Sequence, residues 1–96
     1  MTDVVTPERL EKYFSVTRRA LAKVQLTTPV FHDFTAIGVD FLDMARRYLS
    51  DAEFFSQKGD VVTAFAALNY AHGWLDAGAR LGVFDVGGDS ELFVVD

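Results

Sequence analysis

His72 and Asp76 stand four residues apart in a stretch with helical patterning, and Asn69 precedes the histidine by three. Those spacings put all three on one edge of a helix. An imidazole beside a carboxylate is the raw material of a general base or of a metal site. Folding the chain back at Gly59-Asp60 sets Asp51 opposite Asn69, Tyr48 opposite His72, and Met44 opposite Asp76. Tyr48, Asp51, Asn69, Tyr70, His72 and Asp76 then make a candidate polar network along an otherwise apolar seam.

The network has two readings. As chemistry, it is a small-ligand or metal-binding enzyme site built on His72, Asp76 and Asp51. As structure, it fixes the register of two helices, with Asp51 accepting from Asn69 or Tyr70 and Asp76 pairing with Arg46, Arg47 or Arg80. No His-x-x-x-His or Glu-x-x-His pair is present, so neither a metal nor another cofactor is expected. The remaining chemistry-bearing residues are sparse. Asp40 and Asp43 lie one helical turn apart and read as an acidic edge facing Arg46 and Arg47, or as a weak cation grip. His32 beside Asp33 reads as a loop residue or part of a cap. No serine has a candidate base at a readable spacing, and no residue is assigned a catalytic role. Gly73 and Gly78 fall inside a helix and form no phosphate-cradling loop.

A chain of 96 residues has room for one core. Half of it is hydrophobic, with nine phenylalanines, and the mean hydropathy is positive. A small bundle cannot cover that many large side chains, so some apolar surface is left for a partner. There is no cysteine, hence no disulfide, thiolate metal site or Cys nucleophile. Asp40, Asp43 and Asp51 interrupt the best apolar run well short of the roughly eighteen residues a membrane span needs. The Met1-Thr2-Asp3 start shows no signal-peptide pattern, and a cytoplasmic protein is expected. The net charge of −5 opposes general affinity for nucleic acid or anionic lipid. The cations Arg9, Lys12, Arg18, Arg19 and Lys23 nonetheless crowd the first third, as a basic helix beside acidic ones would.

The elements that must position these residues follow from caps and periodicity. Thr6-Pro7-Glu8 is a helix start, with a hydroxyl cap, a proline whose missing N–H costs nothing, and an acid in the first turn. Leu10, Phe14, Thr17, Leu21 and Val24 continue it as an amphipathic stripe to about residue 26. A second helix is expected over about 31–58, with Asp33 as an alternative cap to Thr28-Pro29. Gly38 inside it implies close approach of another helix, or a bend. Gly59 closes this helix in the left-handed conformation and Asp60 caps the next, which runs from 61 to Gly82. On that third helix Phe65, Leu68, His72, Leu75 and Ala79 form one row. Ala64, Ala67, Ala71 and Gly78 form a row of small side chains, to be filled by Tyr48, Phe54 and Phe55. Val83–Val86 can pack back on the helices, Gly87-Gly88-Asp89-Ser90 reads as a flexible linker, and 87–96 as a flexible or loosely docked tail. The expected architecture is all-α, a single up-and-down antiparallel three-helix bundle over residues 1–86.

The run Tyr48-x-x-Asp51-Ala52-x-x-Phe55-x-x-Lys58-Gly59-Asp60, then Ala64, Asn69 to Gly78 and Leu81-Gly82, resembles the archaeal domain-of-unknown-function family numbered 357. The resemblance covers roughly residues 34–86. It implies a compact bundle of three helices and carries no activity, since the family has none assigned. A fainter resemblance, to the helical hairpins of the HEPN class, does not bring ribonuclease chemistry with it. Those nucleases place an Arg four to six residues before a His, and neither His32 nor His72 has one.

These features give a first expectation of a non-catalytic protein–protein interaction or self-association module, working through Phe31, Phe54, Trp74 or Phe84. The enzyme on His72, Asp76 and Asp51 is the alternative. An RNA-associated module using Arg9, Lys12, Arg19 and Lys23 is the third. A protein partner or homo-oligomer is expected, nucleic acid and membrane are not.

Overall fold

The computed structural model describes residues 4–27 and 33–93. Three helices and no strand occur among them: α1 (Pro7–Lys23), α2 (Phe34–Gln57) and α3 (Val61–Leu81). The chain is all-α. It falls into two compact units, Met1–Phe31 and His32–Asp96. Among the described residues, no helix is long and apolar enough to cross a membrane.

The first unit is α1. The Thr6 hydroxyl accepts from the Arg9 amide at 3.1 Å, and Pro7 opens the helix where no N–H is required. The helix stops at Lys23, three residues before the expected end, because Val24 is already extended. β-Branched Val24, Thr27 and Thr28 ahead of Pro29 favour extended chain over another helical turn. None of its residues is buried within this unit. Leu10, Tyr13, Phe14 and Leu21 are exposed, with the Arg18 guanidinium 4.9 Å from the Phe14 ring centre.

The second unit is a hairpin of α2 and α3. Asp33 is the cap of α2, its carboxylate accepting from Thr35 N at 2.8 Å, so α2 starts at Phe34 rather than near residue 31. At the other end Gly59 takes φ +79°. Asp60 N donates to Phe55 O at 2.9 Å and Gly59 N to Ser56 O at 3.0 Å, the paired bonds of a Schellman ending. Asp60 then caps α3 by accepting from Thr63 N at 3.1 Å. One helix stops and the next starts within three residues, which forces an antiparallel pair. A second Schellman ending closes α3 at Gly82, with Val83 N on Gly78 O at 3.0 Å.

The buried residues of this pair are all small. They are Gly38, Ala45 and Ala52 on α2, and Ala64, Ala71 and Gly78 on α3. Each set repeats every seven residues, the spacing of a seam between two helices that wind about each other. The antiparallel run sets Ala52 level with Ala64, Ala45 with Ala71, and Gly38 with Gly78. Small residues on both sides let the two backbones approach, so one small row fills the other. Two of the three bulky rings expected over the α3 alanines lie elsewhere. Phe54 is 53% exposed, packed edge-on to Phe55 at 5.2 Å and capped by Lys58, and Tyr48 packs on Tyr70.

After Gly82 the chain turns back over the open end of the seam. The ring of Phe84 rests on Gly78, where a Cβ would fall inside the ring. A Cβ at Gly38 would lie 3.2 Å from the Val83 carbonyl oxygen. The close approach at Gly38 is therefore that of this returning segment.

Candidate functional site

Placing the six polar candidates begins with the register of the seam. Tyr48 meets Tyr70, ring centres 4.3 Å apart and nearly perpendicular, where the simple fold-back set it opposite His72. Two residues turn a helix by about 200°, so this shift moves the partner to the far side of α3. Phe41 and Trp74, 5.0 Å apart and edge-on, lie on the same side as the tyrosine pair. His72 faces the other side, lining a groove with Leu42, Arg46 and Leu49 of α2 and Leu68 and Leu75 of α3.

The network thus divides into two groups. On one side, Tyr48 and Tyr70 share a hydroxyl contact with the Asp51 carboxylate nearby. Packing away from water, then the Tyr70 hydroxyl, then the Asp51 charge push the Tyr48 phenol above its ordinary value of 10.0. On the other side, His72 Nε2 stands 3.7 Å from Asp76 Oδ1, one turn along α3. Asn69 shares their edge of the helix and is exposed. No hydrogen bond joins Asp51 to Asn69 among the described residues. The imidazole and the Asp51 carboxylate do not converge, so the geometry assembles no three-group reaction centre. No cluster of three or more His, Asp or Glu residues able to hold a metal ion occurs among the described residues.

The sequence does not announce the partner that His72 has. Its Nε2 lies 2.6 Å from the carbonyl oxygen of Leu92, so that nitrogen carries the hydrogen and donates it. The Phe93 ring stacks over the imidazole at 6.2 Å. Asp43 takes Arg47 at 2.9 Å, an exposed i,i+4 pair that contributes little to stability.

Of the four candidate interface residues, Phe31 lies outside the described residues. Phe54 stands exposed near the turn, Trp74 is half-buried against Phe41, and Phe84 is half-buried on Gly78. One concave feature is absent from the sequence reading. A groove of about 510 Å³ runs beside the seam, walled by Glu53 and Ser56 of α2 and by Val61, Phe65 and Leu68 of α3. Leu68 also belongs to the His72 groove of about 270 Å³, so the two form one strip along the hairpin. Phe65, at the head of the row it forms with Leu68, His72, Leu75 and Ala79, is 64% exposed here. The signal that could have found this strip is the seven-residue repeat of small residues on α2, which fixes the buried face and turns Phe65 outward.

Neither the comparison with curated proteins nor that with solved structures gave a match. The model of one protein family does match, over residues 12–84. The match begins inside α1 and ends at Phe84, the residue that closes the seam. It therefore reaches further back than the stretch from residue 34 that carries the resemblance in the sequence. The chain belongs to this family, DUF357, whose members are proteins of unknown function.

Proposed function

We propose that the protein is a non-catalytic self-association module in which a second copy of the chain covers the apolar groove along α2 and α3. One observation carries the reading. The hairpin buries nothing larger than alanine, while Leu49, Phe54, Val61, Phe65 and Leu68 are exposed around it. Each large apolar side chain left in water forgoes roughly 1.5–3 kcal/mol that a cover would recover.

Two further features favour another copy as that cover. The hairpin has two apolar sides, the groove and the Phe41–Trp74, Tyr48–Tyr70 side, and the described residues include one further helix. A single helix cannot cover both. The charges are also complementary between copies. Met1–Phe31 carries five cations against three acids, and His32–Asp96 carries four against eleven. The basic end of one copy is attracted to the acidic hairpin of the next, a contact that salt weakens.

The enzyme reading draws no support from the geometry, because Asp51 and His72 are on opposite sides of the seam. Sedimentation equilibrium tests the proposal. The expected result is a mass of twice the chain, with association weakening as salt is raised. A monomer across the whole concentration range, including one whose own helix fills the groove, would falsify it.

A further inference from the structure

Residues 85–93 are not the featureless linker that their glycines suggest. Asp85 accepts from Gly87 N at 3.0 Å, and Gly87 and Gly88 turn the chain with φ of +65° and +73°. Asp89 then caps a single helical turn, its carboxylate accepting from Glu91 N and Leu92 N, both at 3.0 Å, while its carbonyl accepts from Phe93 N at 3.2 Å. The end of that turn leaves carbonyls without intrahelical partners. One of them, Leu92 O, is taken by His72, and Phe93 stacks on the same ring. The turn is capped at its start by its own aspartate and at its end by a side chain of α3. His72 is also a wall of the groove strip, so whatever it holds sits at the edge of that strip.

From this we infer that residues 85–93 are a strap, latched by His72, that overlaps the place where the second copy binds and limits its access. The inference rests on the self-association proposed above. The second copy must displace Phe93 from His72 to cover the strip to its end, and the strap's contacts are lost when it does. Releasing the strap from the full chain without touching the groove should therefore tighten association.

Asp89→Ala removes the acceptor that organises the turn and leaves every groove residue in place. Its expected effect is a three- to tenfold tighter dimer, about what the loss of one competing hydrogen-bonded contact gives. The Phe93 amide should lose protection against hydrogen exchange in parallel. Asp89→Asn keeps an accepting oxygen and removes the same charge, so it should associate like the unmodified protein. Unchanged or weaker association of Asp89→Ala, beside a wild-type dimer, overturns the strap and leaves the self-association standing. Equal tightening by Asp89→Asn overturns it too, since charge alone would then be the cause. No association by either the wild type or Asp89→Ala removes both readings together.

Discussion

The ring of Phe84 occupies the space that a side chain at Gly78 would need. A residue after the helix thus depends on the absence of one within it. The chain pays for this with a glycine in a helix interior, at about 1 kcal/mol relative to alanine. Gly73, five residues earlier on the same helix, has nothing within 4 Å of where its Cβ would be.

The two glycines should therefore respond in opposite directions to the same change. Gly73→Ala is expected to stabilise the hairpin by about 0.5–1 kcal/mol, the ordinary helix gain. Gly78→Ala is expected to destabilise it by about 1–3 kcal/mol, because the Phe84 ring must move. In a Phe84→Ala background that penalty should disappear and Gly78→Ala should become mildly stabilising. Urea unfolding of the four variants reads these values. Equal effects at 73 and 78 would contradict the packing of Phe84.

Tyr48 makes stability depend on pH at the alkaline end. Its phenol is raised in the folded hairpin, so on raising pH the unfolded chain loses this proton first. The stability it contributes is complete below the ordinary value of 10.0 and is lost as pH rises through the folded value. Denaturant midpoints should begin to fall above about pH 10. Tyr48→Phe keeps the ring against Tyr70 and should flatten that fall. An identical decline in both proteins would mean that Tyr48 ionises alike in the folded and unfolded chain.

Phe65 separates the groove from the fold. Phe65→Glu puts a charge where a second copy is proposed to sit, and it should weaken association by more than about tenfold, the equivalent of 1.4 kcal/mol. Its helical circular dichroism should be retained, because the side chain is already 64% exposed. Ala66→Glu, exposed at the next position, should change neither property. Sedimentation of the three proteins decides the point, and equal association by all three would place the contact elsewhere.

What the sequence revealed depended on how local the signal was. The Gly59-Asp60 turn and the Thr6-Pro7 start are legible because a left-handed glycine, a short carboxylate and a proline act on the backbone beside them. The start of α2 was less so, since Thr28-Pro29 and Asp33 offer competing caps and only one could be used. The small row of α3 was legible, and Ala64, Ala71 and Gly78 of it are buried. What meets that row was misread, because the seam is chosen by the closest backbone approach, which sets Gly38, Ala45 and Ala52 there rather than bulky rings. That choice sets the register, and the register put Tyr70 rather than His72 beside Tyr48. The Leu92 contact of His72 was out of reach, because a backbone carbonyl carries no side-chain signature.

The seam is the claim on which the rest stands, and Ala71→Leu tests it most directly. Thermal and urea unfolding of this variant should show a loss of about 1–3 kcal/mol, since Ala71 is 5% exposed and leucine adds three carbons where the two backbones run closest. Ala66→Leu on the exposed side of α3 should stay within about 0.5 kcal/mol of the parent. If Ala71→Leu is as stable as the parent, α2 and α3 do not meet along the small-residue repeat, and neither the groove nor the strap is where this structure puts it.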